Sequence, residues 1–101
     1  MRKDILVISM RNEEVIEKFF NEVVNVKSSN GNLYTRGNGD KVELVNYATV
    51  IAYIQGNSCY LSSTKYSRTT GKIQNCIKRV YKDYDWKYDL KLFVDKEWEE
   101  N

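Results

Sequence analysis

The spacing of apolar residues changes period along the chain, and those changes exclude an all-helical or an all-strand fold. Val15, Ile16, Phe19, Phe20, Val23 and Val24 recur on one face of a 3.6-residue helix, while Glu17, Lys18, Asn21 and Glu22 fall on the other. Asn12 is the expected N-cap, with Glu13 and Glu14 in the first turn, where the helix dipole favours anions. A second stripe, Ile73, Cys76, Ile77, Val80 and Tyr81, follows the same spacing, with Thr69 and Thr70 as its expected cap. From residue 84 the period becomes two. Tyr84, Trp86, Tyr88, Leu90, Leu92 and Val94 alternate with Asp85, Lys87, Asp89, Lys91, Phe93 and Asp95, which predicts a strand with one buried face.

Between the helices the composition turns to β-formers. Asn30-Gly31 and Gly37-Asn38-Gly39-Asp40 bracket Leu33-Tyr34-Thr35 as a short strand between turns. Residues 50–54 are apolar on both phases, which predicts a well-shielded strand, and the alternation slips near Val45-Asn46, marking a bulge or short break. Gln55-Gly56-Asn57-Ser58 reads as a hairpin turn into Cys59-Tyr60-Leu61. The short apolar run at residues 5–9 reads as a further buried strand. With 101 residues there is room for a single domain. The expected fold is α+β over residues 1–101: a mostly antiparallel sheet of about five strands with two amphipathic helices packed on it.

The chain has no histidine, which removes His-based triads, His acid–base pairs and imidazole metal sites. Cys59 and Cys76 both occupy apolar positions and read as reduced core thiols rather than a disulfide or a nucleophile. Gly71-Lys72 is followed by Ile73, and position 66 is Tyr, so the phosphate-loop pattern fails. Asp83, Asp85 and Asp89 read as a solvated row beside Lys87 and Lys91 rather than an acid–base pair. Neither an enzyme nor a cofactor is expected, and no apolar run is long enough to span a membrane. The short basic start lacks the apolar core and cleavage site of a signal peptide, so an intracellular protein is expected.

The net charge of +2 conceals a strong asymmetry. Residues 44–82 contain no carboxylate but six cations: Lys65, Arg68, Lys72, Lys78, Arg79 and Lys82. Residues 83–101 carry seven acids against three lysines. The basic block is rich in hydroxyls and runs into a helix start, so these six cations with Thr69 and Thr70 are the candidate contacts for nucleic acid or an acidic partner. The competing reading is a capped helix with a solvated lysine face, or a basic middle paired with the acidic end. Asp85, Asp89, Asp95, Glu97, Glu99 and Glu100 are candidates for imitating a row of phosphates. Among the aromatics, Tyr53, Tyr60, Tyr84, Trp86 and Tyr88 fit the apolar phase of their strands, while Tyr34, Tyr47 and Tyr66 sit near turns and are expected to be exposed.

Three stretches carry a resemblance: residues 46–53, then Tyr60-Leu61, then Lys65-Tyr66-Ser67-Arg68-Thr69-Thr70-Gly71-Lys72-Ile73-Gln74. They cover about the middle third of the chain. The pattern resembles small bacteriophage-encoded proteins with a hairpin followed by a Tyr/Trp-Ser-x-Thr-Thr-x-Lys stretch, although Gly71 stands where that pattern more often has Ser. The resemblance implies no established activity. Its context implies a protein of the infected bacterial cytoplasm that binds and inhibits a host nucleic-acid-processing or defence complex, of anti-CRISPR type. The alternatives are direct DNA or RNA binding through residues 65–82 and a virion assembly module. The partner is then a host protein or protein–nucleic-acid complex, with no membrane involved and the oligomeric state left open.

Overall fold

The computed structural model describes residues 10–96. The expected strand at residues 5–9 lies outside them, as do Glu97, Glu99 and Glu100. The described chain is an α+β unit with the order α1 (Asn12–Phe20), β1 (Leu33–Asn38), β2 (Lys41–Asn46), β3 (Thr49–Gln55), β4 (Ser58–Ser62), α2 (Arg68–Tyr81) and β5 (Asp89–Phe93). Its sheet runs β1-β2-β3-β4-β5. The first four strands form an antiparallel meander, and β5 pairs with β4 in parallel. A parallel neighbour cannot be reached by a tight turn, and here α2 makes the crossover.

Val15, Ile16, Phe19 and Phe20 of α1 are fully buried, as the 3.6-residue stripe requires. Arg11, not Asn12, is the N-cap; its N–H donates to Glu14 Oε1 at 2.8 Å. The helix ends before the stripe does. Glu22 adopts φ 60°, so Val23 and Val24 lie beyond the last turn and are exposed rather than on the core face.

The run 41–54 is two strands joined by a two-residue turn at Tyr47-Ala48, and a register shift between Leu44 and Val45 accompanies it. Ile51 and Ala52, although adjacent, both join the core, as residues at a bulge can. Beyond the bulge the phase is inverted relative to the one expected. Ala52, Ile54, Cys59 and Leu61 point to the helices, and Tyr53 and Tyr60, paired with one another, stand half-buried on the opposite face. Gly56, with φ 61°, makes the β3–β4 turn as anticipated.

Ser67 caps α2 by accepting from the Thr70 N–H at 3.2 Å, so Thr69 and Thr70 lie inside the first turn instead of before it. Ile73, Ile77 and Val80 bury the apolar stripe. Two buried polar side chains on the same face are satisfied: Thr70 Oγ1 donates to Asn46 Oδ1 at 2.8 Å, and Gln74 Nε2 donates to the Ser62 and Thr64 carbonyls at 2.9 and 3.0 Å.

The expected strand over residues 84–94 is shorter, covering only β5. Residues 82–87 form turns, in which the Lys87 and Tyr88 N–H groups donate to the Tyr84 carbonyl. Tyr84 stacks on Phe20 at 5.0 Å and donates to Glu17 Oε1 at 2.9 Å. Tyr88 is buried, with its hydroxyl 3.1 Å from the Phe20 carbonyl, and Tyr81 donates to the Tyr88 carbonyl at 2.6 Å. Residues four apart share a face in such turns just as residues two apart do in a strand. Trp86, halfway between Tyr84 and Tyr88, is therefore turned outward and is 78% exposed. Leu90, Leu92 and Val94 are exposed as well, against the expected buried face.

Candidate nucleic-acid interface

Helical geometry arranges the basic block. Arg68, Lys72, Arg79 and Lys82 recur at intervals of four, seven and three residues, which places them on one stripe of α2 opposite its buried face. Lys82 is the C-cap and retains right-handed helical φ/ψ, so it continues the stripe. All four side chains are exposed, as are Lys65 before the helix and Lys78 beside the stripe. From Arg68 to Lys82 the stripe runs about 21 Å at 1.5 Å per residue. No acidic residue occupies the first turn of α2. Among the described residues, Arg68, Lys72, Lys78 and Lys82 form no ion pair. Arg79 lies 3.8 Å from Glu13 of α1, both well exposed, and 3.3 Å from Cys76 Sγ; an exposed pair of this length holds little energy.

The two threonines separate. Thr69 is exposed beside the stripe, whereas Thr70 is buried and bonded to Asn46. Thr70 is therefore a structural tie between α2 and the end of β2. Next to it, Asn46, Tyr47, Thr49, Tyr66, Ser67 and Thr70 line a groove of about 230 Å³. Tyr47 stands at its rim, 57% exposed. Tyr34 and Tyr66, also expected to be exposed, are half-buried. The Tyr66 hydroxyl lies 2.9 Å from Ser62 Oγ and donates to Asp95 Oδ2 at 3.1 Å, and burial pushes its pKa up.

The acidic candidates do not form a row among the described residues. Asp85 is exposed in the turns after α2, and Asp89 opens β5 with its N–H bonded to the Asn57 carbonyl. Asp95 anchors the chain after β5, accepting from Tyr66 and donating its own N–H to Thr64 Oγ1 at 2.7 Å. A carboxylate committed to such a tie is a poor phosphate substitute.

The face of the sheet away from the helices carries a continuous row across all five strands, Arg36, Glu43, Tyr53, Tyr60 and Lys91, each opposite the next. The Tyr53 and Tyr60 rings stack at 4.5 Å, and Lys41 Nζ lies 4.6 Å from the Tyr53 centroid. Arg36 Nε donates to Glu43 Oε1 at 2.7 Å. Burial acts to raise the Glu43 carboxyl, but the Arg36 guanidinium and the Asn38 amide outweigh it and hold the pKa below the usual range. The two tyrosine rings face one another, which takes up one face of each.

Both cysteines are free. Cys59 is buried, and burial pushes its thiol up to about 12. Cys76 is half-buried against the core, with burial again raising it. Among the described residues no group of three His, Cys, Asp or Glu is placed to hold a metal ion, and no helix is long and apolar enough to cross a membrane. Comparison with protein-family models, with curated proteins and with solved structures found no match.

Proposed function

We propose that the protein is a non-enzymatic nucleic-acid-binding accessory protein that grips the phosphate backbone with the outer face of α2. The observation that supports this most directly is the alignment of Arg68, Lys72, Arg79 and Lys82 on one exposed stripe of a carboxylate-free helix. Lys78 flanks the stripe and widens the positive surface. A merely solvated helix gains pairing along its own surface from mixed charge; a single-sign stripe forgoes that pairing within the helix and fits the footprint of a polyanion contact.

The test is a titration of the purified chain against labelled duplex and single-stranded oligonucleotides over a range of salt. Four phosphate contacts on duplex give a log–log slope of about −3.6, and each cation removed lowers it by about one. Lys72→Glu/Arg79→Glu should abolish most of the affinity while leaving the melting temperature nearly unchanged. Binding that is indifferent to salt and to this double variant would overturn the reading.

A second reading is supported by apolar side chains rather than by charge. Trp86, Leu92 and Val94 are exposed large apolar side chains close together in the chain, Leu92 being 62% exposed. Such residues suit a protein contact and fit a phage-type inhibitor of a host nucleic-acid-processing or defence complex, of anti-CRISPR type. A host complex that survives nuclease treatment in a pull-down, and is lost with Leu92→Asp but kept with Lys72→Glu/Arg79→Glu, would favour this reading over the first.

A further inference from the structure

An exposed aromatic side chain lies near each end of α2. At the start of the helix, Tyr47 shares a groove with Ser67 and Thr70, the residues on either side of Arg68 and Thr69. Beyond the last turn, Trp86 lies four residues after Lys82, its indole N–H donating to the Asp83 carbonyl at 3.1 Å. These are the two most exposed aromatic side chains among the described residues, at 57% and 78%.

Neither residue is explained by packing. Tyr47 and Ala48 have φ of 55° and 79°, a conformation that a two-residue hairpin demands and that Asn-Gly supplies at far lower cost. An aromatic residue is thus held in a strained turn with most of its ring in water. Trp86 leaves an open indole face while Tyr84 and Tyr88, two residues to either side, are tied to α1 by their rings and hydroxyls. In contrast to the self-stacked Tyr53–Tyr60 pair, both rings are available.

On the reading that α2 binds nucleic acid, we infer that its ligand is single-stranded, with the backbone following Arg68, Lys72, Arg79 and Lys82 and with unpaired bases stacking on Tyr47 and Trp86. A cationic track with aromatic platforms is how sequence-tolerant single-strand binding is built, because every base has a π-face. A duplex keeps its bases inside the stack and gains nothing from these rings.

The experiment compares the full chain with the Trp86→Ala, Trp86→Phe and Tyr47→Ala variants, using fluorescence anisotropy with dT12, rU12 and a 12-base-pair duplex. Circular dichroism melts of each variant check that the exposed substitutions leave the fold intact. The inference expects the single strands to bind more tightly than the duplex. It expects Trp86→Ala to weaken single-strand binding about five- to a hundredfold, Trp86→Phe to restore most of it, and duplex affinity to stay unchanged in all three variants. Stronger binding of rU12 than of dT12, or the reverse, would identify which single strand is preferred. Equal affinity for duplex and single strands, with both aromatic variants silent and Lys72→Glu/Arg79→Glu still damaging, would overturn the single-strand inference and leave the α2 interface standing. No binding to any of the three nucleic acids would overturn both.

Discussion

The two helices contribute to the same core but present opposite chemistry to solvent. α1 buries Val15, Ile16, Phe19 and Phe20, and α2 buries Ile73, Ile77 and Val80 with two bonded polar side chains. Outward, α1 carries Glu13, Glu14 and Lys18, the ordinary mixture of a solvated helix. The outward face of α2 carries Arg68, Lys72, Lys78 and Arg79 and no acid. The requirement to bury an apolar stripe acts alike on both helices and so says little about role. The outward face is free of that requirement, and there the two diverge.

The inward faces should dominate stability and the outward face of α2 should not. Phe20→Ala removes a fully buried ring that stacks on Tyr84 and meets Phe19 edge-on at 5.2 Å. It should cost about 3–5 kcal/mol in urea denaturation, enough to leave a small domain barely folded. Lys72→Glu should change stability by less than about 0.5 kcal/mol in the same assay. A large loss from Lys72→Glu would mean that the stripe serves the fold and would erase the contrast.

A pH dependence sharpens the same contrast from the core side. The folded chain keeps the Cys59 proton up to about 12, whereas an exposed thiol releases it near 9.0. More protons are bound in the folded state over that interval, so this contribution is fully present below pH 9 and is lost as pH rises. The raised tyrosines Tyr66, Tyr81, Tyr84 and Tyr88 act in the same direction, starting about one pH unit higher. Urea midpoints between pH 8 and pH 10 should therefore fall for the native chain and fall less for Cys59→Ala. An identical slope in both would show that Cys59 is not shielded.

The smallest effects separate the helix starts. Ser67→Ala should lower stability by about 1 kcal/mol through loss of the α2 cap. Asn12→Ala, one position inside α1, should change it by less than about 0.5 kcal/mol, because Arg11 and Glu14 close that end. Thermal melts of the two variants side by side would test the assignment, and equal losses would refute it.

What the sequence made legible follows from which signals are unambiguous. Both apolar stripes and the Gly56 turn could be read, because 3.6-residue spacing over several turns and a positive-φ glycine have few competing explanations. The caps lie one to three residues before the expected ones, since Asn12, Thr69 and Thr70 suit a cap by type at least as well as Arg11 and Ser67 do. Tyr84 and Tyr88 satisfy a two-residue and a four-residue period equally, and only the fate of Trp86 distinguishes them. Residues 50–54 are apolar on both phases, so nothing local shows that the bulge inverts the phase and sends Tyr53 outward. For the candidate site, the cations and Tyr47 were visible in the sequence. The exposure of Trp86 was not, because alternation places it in the core.

The row Arg36–Glu43–Tyr53–Tyr60–Lys91 bears on how the sheet avoids misassembly. A sheet strand can slip by one residue at little cost to its backbone hydrogen bonds, and such a slip transposes its two faces. Here a slip of β3 would drive the Tyr53 hydroxyl toward the apolar core and turn Ala52 and Ile54 out to water. The same slip would take Tyr53 away from Tyr60 and from its place beside Glu43, which a single step in β2 would in turn part from Arg36. Because every strand contributes one member, the row acts as a ruler laid across the whole sheet, and a misaligned strand is penalised wherever in the order it occurs.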